Sequence, residues 1–191
     1  MLERTLAETK VGRAKLFIAL MTEAFESKDH YLESIEYLIY TLDELNFFNA
    51  PASANHHGNY EGGLFDHSYT TTLELLDLTE KLGLKWSRHE SPYLIGMLHD
   101  ICKCDSYIYN KELNKYEYNP NTPLAGHGDK SVIMTQNFWP LTEEEKLCIR
   151  WHMGAYDDKE NWNHLGTAIE KYPNVLYTHV ADMIASRIKG I

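Results

Sequence analysis

The sequence predicts an all-α helical bundle interrupted by one small hairpin. Apolar residues recur at helical spacing through most of the chain, helix start and stop residues separate these runs, and strict alternation occurs in one short stretch only. Residues 3–25 and 28–47 carry Leu16, Ile18, Leu20 and Phe25, then Leu32, Ile35, Leu38, Ile39, Leu42 and Leu45, which predicts two amphipathic helices. Residues 49–63 hold Pro51, Ser53, Asn55, Gly58, Gly62 and Gly63 and read as a loop. A helix is expected from Leu64 to about Leu82, stopped by Gly83. Ser91-Pro92 reads as an N-cap with proline at the first helical position, which sets Leu94, Ile95, Leu98 and Ile101 on a core stripe with His99 and Asp100 at its edge.

The period then changes. Ser106-Tyr107-Ile108-Tyr109 and Lys115-Tyr116-Glu117-Tyr118 alternate about a polar turn and predict a hairpin. Helical spacing returns over Ala125–Phe138 and stops at Pro140, and Thr142-Glu143-Glu144-Glu145 is a capping-box start for a helix running through His152 to Gly154. Residues 155–163 read as a polar loop, and a last helix is expected from Pro173 to Gly190.

A chain of 191 residues suits one domain with at most a small appendage. It has no apolar run near the roughly 20 residues of a membrane span and no apolar stretch of a signal peptide after Met1. Three cysteines cannot all pair, which points to a reducing cytoplasm. Cys102 and Cys104 form no zinc-type pattern without a second Cys pair. A net charge of −10 disfavours extended nucleic acid, whose binding rests on many cation–phosphate contacts, and favours a small substrate.

Six residues stand out against this background: His67, His99, Asp100, His127, His152 and Asp182 each fall in or beside a predicted helix. A bundle can turn such side chains onto one centre. Imidazole with carboxylate suits Fe, Mn, Zn or Co without choosing among them. If His127 and His152 converge with the others, the site holds two ions, and Asp100 is the natural bridge. Two ions about 3.5–4 Å apart suit phosphoryl displacement.

The series, with its surrounding strings, resembles the HD superfamily of metal-dependent phosphohydrolases. The stretch from His57 through Gly62-Gly63-Leu64 to His67-Ser68 is similar to the H…GGL…HS opening of the branch with bacterial 3′–5′ exoribonucleases and relaxase-type HD domains. Leu98–Lys103 resembles LHDIGK, Gly126-His127-Gly128 resembles the family's GH string, and Val175–Asp182 is similar to its closing helix. The resemblance covers about residues 50–190. It implies an HD domain over 50–191 and leaves the first two helices unaccounted for; 1–49 is expected as an N-terminal helical extension packed on the core, or as a surface for a homodimer.

It also implies that His67, His99, Asp100 and Asp182 are core ligands, that His127 and His152 complete a second site, and that the cofactor is a divalent transition metal, two ions in number. The expected activity is hydrolysis of a nucleotide or related small phosphoester by a metal-activated hydroxide, with Asp100 and Lys103 as catalytic groups and Lys103 approaching phosphate. A di-iron oxygenase and a non-catalytic nucleotide- or partner-binding regulator are the alternatives. Cys102 replaces the usual Gly of the HDIGK string, and Met153 stands where many relatives have a second His, which disfavours a third metal.

Lys130, Arg150 and Arg187 lie within about a turn of expected ligands and are candidates for phosphate binding, with solvated surface charge as the plainer reading. His57, with His56, is a candidate for the pocket wall, and His179 for support of Asp182 or for packing. The tyrosine hairpin reads first as a packed excursion and second as a lid that stacks on a base.

Overall fold

The computed structural model describes residues 8–25, 29–56 and 58–191. Eight α-helices occur among the described residues: α1 Lys10–Phe25, α2 Tyr31–Glu44, α3 Gly63–Leu82, α4 Ser91–Leu98, α5 Gly128–Gln136, α6 Glu143–Trp151, α7 Trp162–Lys171 and α8 Asn174–Met183. One antiparallel hairpin, β1 Tyr107–Asn110 with β2 Lys115–Tyr118, pairs Tyr107 with Tyr118 and Tyr109 with Tyr116. The all-α class with a small hairpin is as the sequence predicts. No described helix is long and apolar enough to cross a membrane.

Two apolar clusters hold the bundle. Phe17, Leu20, Met21, Leu38 and Leu42 of α1 and α2 join Phe47, Phe48, Phe65, Leu94 and Met97, so the first two helices lie directly against α3 and α4. Edge-on and tilted contacts among Phe17, Phe47, Phe48 and Phe65, with centroids 5.6–6.2 Å apart, knit that side together. The second cluster joins Leu75 and Ile95 to Cys148, Ile149, Trp151, Val175 and Ala181 of α6 and α8. Helices α3 and α4 pack closely because Gly96 has no side chain: a Cβ there would lie 2.4 Å from Thr72 Oγ1.

Several boundaries differ from expectation for local reasons. Residues 3–7 and 28, at the predicted starts of the first two helices, lie outside the described residues. Ser91 does not cap α4: Glu90 holds that position, and the Ser91 hydroxyl donates to Glu145 Oε1 at 2.8 Å. Helix α5 starts at Gly128 rather than Ala125, since Gly126 reverses the chain at φ 88°. The polar stretch from residue 155 is broken by two short 3₁₀ turns and leads into α7, a helix the sequence reading did not assign. The capping box of α6 forms as expected, with Glu145 N–H on Thr142 Oγ1 and Thr142 N–H on Glu145 Oε2. The last helix changes at its end into a π-helical turn, Ile184–Ile188.

Candidate metal centre

Gly62, at φ 87°, turns the chain into α3 and puts His67 in the second turn of that helix, on its buried face. His99 closes α4 and His152 closes α6. A helix end leaves carbonyls without helical partners. Each of these histidines folds its ring back onto one of them, His99 Nδ1 to Gly96 O at 2.8 Å and His152 Nδ1 to Ile149 O at 2.6 Å. His67 Nδ1 reaches Ile191 O at 2.9 Å. A main-chain oxygen only accepts, so all three rings present an N–H at Nδ1 to it and turn Nε2 inward, the arrangement second-sphere partners impose on metal-binding imidazoles.

The Nε2 atoms converge on Asp100. Oδ2 of Asp100 lies 3.3 Å from His67 Nε2 and 3.5 Å from His99 Nε2, while Asp182 Oδ1 lies 3.2 Å from His67 Nε2. Oδ1 faces the other side, 2.7 Å from His127 Nε2 and 3.3 Å from His152 Nε2. His67 Nε2 and His99 Nε2 are only 3.2 Å apart. His152 Nε2 is fully buried without a hydrogen-bond partner. Imidazole nitrogens and carboxylate oxygens crowded together away from water, some of them without a hydrogen-bond partner among the described residues, are costly unless positive charge sits among them. The donor set therefore fits a metal ion, and the buried groups His67–His99–Asp100 and Asp100–Cys102–His127 could each hold one.

The rings differ in their electrostatics. Burial pushes His99 down to about 3, so it stays a neutral donor. Burial also works to lower His67, but hydrogen bonds to Asp100 and Asp182 outweigh it and raise the ring to about 9. Burial would raise Asp100, yet Lys103 and the surrounding histidines hold it well below the usual carboxylate range. Asp182 is likewise held down against burial, chiefly by His67. The 3₁₀ turn Ile101–Cys104 brings Lys103 Nζ to 2.5 Å from Asp100 Oδ2, because residues three apart eclipse in that helix.

The cluster floors a cavity of about 460 Å³. His67, Asp100, Lys103, His127 and Asp182 line its base; Tyr107, Tyr118, Tyr156, His179 and Arg187 contribute walls. The six expected ligand residues and Lys103 are thus brought together. The other candidates divide. Lys130 lines the cavity but is buried rather than solvated, and its ammonium is engaged by Asp105 and by Thr122 Oγ1. Arg150 is outside the cavity lining: it is tied to Asp129 and Asp157 and its guanidinium lies over Trp151. Arg187 is exposed at the rim with no carboxylate partner among the described residues. His56 lines the cavity, and His57 lies outside the described residues.

The four hairpin tyrosines share one face, since Tyr107 and Tyr109, and Tyr116 and Tyr118, are two residues apart on paired strands, and they differ in position along it. Tyr107 and Tyr118, with ring centroids 5.3 Å apart, face the cavity, while Tyr109 and Tyr116 line a separate groove. His179 is a wall residue that spacing alone gave only as support or packing. Its Nδ1 lies 2.7 Å from His152 O and its ring rests on Gly154, where a Cβ would come within 2.7 Å. Cys102, in sequence half of an incomplete Cys pair and a departure from the HDIGK string, has its Sγ 3.4 Å from His127 Nδ1.

Comparison with known proteins gives one partial likeness. Over 69 residues the chain is 39% identical to a dihydroneopterin 2′,3′-cyclic phosphate phosphodiesterase of Methanocaldococcus jannaschii. The match covers 33% of this chain and 26% of that protein, so the chain spans about a quarter of its relative's length. No family model and no solved structure matches the chain.

Proposed function

We propose that this protein is a metal-dependent phosphohydrolase of the HD type, acting on a small phosphoester such as a nucleotide. The observation that carries the reading is the convergence of four imidazole Nε2 atoms on the two oxygens of Asp100, with Lys103 on the same carboxylate. The partial likeness to a cyclic-phosphate phosphodiesterase supports a phosphoester as the substrate class.

In this reading His67, His99, Asp100 and Asp182 would hold one divalent transition metal, and His127 and His152, with Asp100, would hold a second. Metal bound there supplies Lewis acidity to a phosphoryl oxygen and acidifies water. The chain's own groups do the rest. Gly96 and Ile149 carbonyls keep His99 and His152 aimed at the centre. Lys103 neutralises Asp100 in the resting site and turns its ammonium to the phosphate when substrate arrives, offsetting charge that grows in displacement. Arg187 meets the phosphate or its neighbour from the rim, and Tyr107 and Tyr118 contact the remainder of the substrate. Residues 50–191 form the catalytic unit, with 1–49 as the packed extension.

The test is a panel of nucleotides, cyclic phosphates and simple phosphodiesters, run anaerobically with Mn, Fe, Co and Zn. Turnover that disappears in His99→Ala and Asp100→Ala is expected. Lys103→Ala should lower kcat roughly 100-fold, the scale for removing one preorganised electrostatic group. Turnover that survives Asp100→Ala, or that requires oxygen, contradicts the assignment.

A further inference from the structure

Three buried histidines of the centre present Nε2 inward, and each needs an acceptor on Nδ1 to keep that orientation. His99 and His152 find theirs three residues back, because both close helices where such carbonyls are unused. His67 cannot do so. It lies in the second turn of α3, where the preceding carbonyls already accept helical N–H groups, as Gly62 O accepts from Asp66 N at 3.1 Å. Its acceptor comes from 124 residues away, the Ile191 main-chain oxygen at 2.9 Å.

The route by which Ile191 arrives is built into the chain. After α8 the backbone widens to a π-helical turn, closed by Lys189 N–H on Ile184 O at 2.9 Å. Gly190 then reverses direction at φ 72°, a conformation that suits glycine, and Ile191 N–H bonds Ala185 O at 3.1 Å. Lys189 pairs with Glu74, which is two turns along α3 from His67. The same π-helical turn carries Ser186 and Arg187 into the cavity wall.

We infer that Lys189–Ile191 is a positioning element of the centre: the Ile191 main-chain oxygen fixes the His67 ring so that Nε2 faces Asp100 and Asp182. The inference rests on the metal-centre reading above. It makes His67 the ligand whose orientation depends on a remote segment.

The test uses Gly190→Val, in which a β-branched residue opposes positive φ, and excision of Gly190 and Ile191. Ile191→Ala keeps the main-chain oxygen and serves as control. In the metal-free protein the His67 Nδ1–H should give a slowly exchanging ring resonance, present in wild type and Ile191→Ala and lost in the other two. In chelator competition, Mn or Zn affinity should fall about 10–100-fold in Gly190→Val and in the excised form, the usual range for losing such a partner. Ile191→Ala should match wild type. Unchanged ring resonance and unchanged affinity in both altered forms overturn the inference. A wild-type chain with no metal affinity overturns the metal-centre reading and the purpose assigned to the segment, while the ring resonance still reports the contact itself.

Discussion

Asp100 divides its two oxygens between two groups of histidines, and its charge is matched by Lys103 at 2.5 Å. Removing its charge leaves the buried Lys103 ammonium without its carboxylate, so Asp100→Asn is expected to lose metal and turnover together. A residue far from the cavity gives an independent check. Glu145 is fully buried and accepts from Arg88, from Ser91 Oγ and from Thr142 N–H. Burial works to raise its carboxyl, but these partners outweigh it and hold the carboxyl below its ordinary value. Its stabilisation is therefore complete above the unfolded value of about 4.3 and is lost as pH falls through the lowered folded value. Glu145→Gln should cost about 3 kcal/mol at neutral pH and flatten that acid limb, read from denaturant midpoints at several pH values. At this scale the candidate ligand residues were legible because six histidines and aspartates recur in or beside predicted helices, within strings that resemble the HD superfamily; a His–Asp pair alone is common. Their supports were not: spacing cannot show that Asp105 engages Lys130, that Arg150 turns to Asp129 and Asp157, or that the Ile191 main-chain oxygen meets His67.

Helices α3 and α4 set the distance between His67 and His99, and Gly96 sets the distance between the helices. A methyl at Gly96 would meet Thr72 Oγ1 at 2.4 Å and Thr72 Cα at 2.6 Å. Gly96→Ala should therefore destabilise by about 1–3 kcal/mol, the range for overpacking. It should also weaken metal binding, since the Gly96 carbonyl orients His99. Thermal unfolding with and without added metal measures both. Most elements were legible from apolar spacing and from Gly, Pro and the α6 capping box. Helix α7 was missed because it follows directly on a run of polar residues, Asp157-Asp158-Lys159-Glu160-Asn161, that reads as loop. Only Ala168 of its ten residues is buried, so little of its sequence answers to a core. The Ser91-Pro92 signal marked the right place for α4 but the wrong role for Ser91, whose hydroxyl serves a long-range partner invisible to local rules.

The whole molecule brings helices from both apolar clusters to one polar centre. His67 and His99 come from helices that meet the α1–α2 side, and His152 and Asp182 from α6 and α8 on the other. An ion held there ties the clusters together and binds the folded chain alone, so its removal should lower stability. At a free metal concentration 100 times Kd the difference is about 2.7 kcal/mol, a shift of roughly 5–11 °C for a chain of this size, read by thermal unfolding with and without chelator. The most direct test of the centre is elemental analysis of protein purified without chelator. At least one transition metal ion per chain, and up to two, is expected in the wild type. His99→Ala should remove most of it while keeping its helical circular dichroism. Less than one ion per chain, unchanged by His99→Ala, would contradict the metal centre.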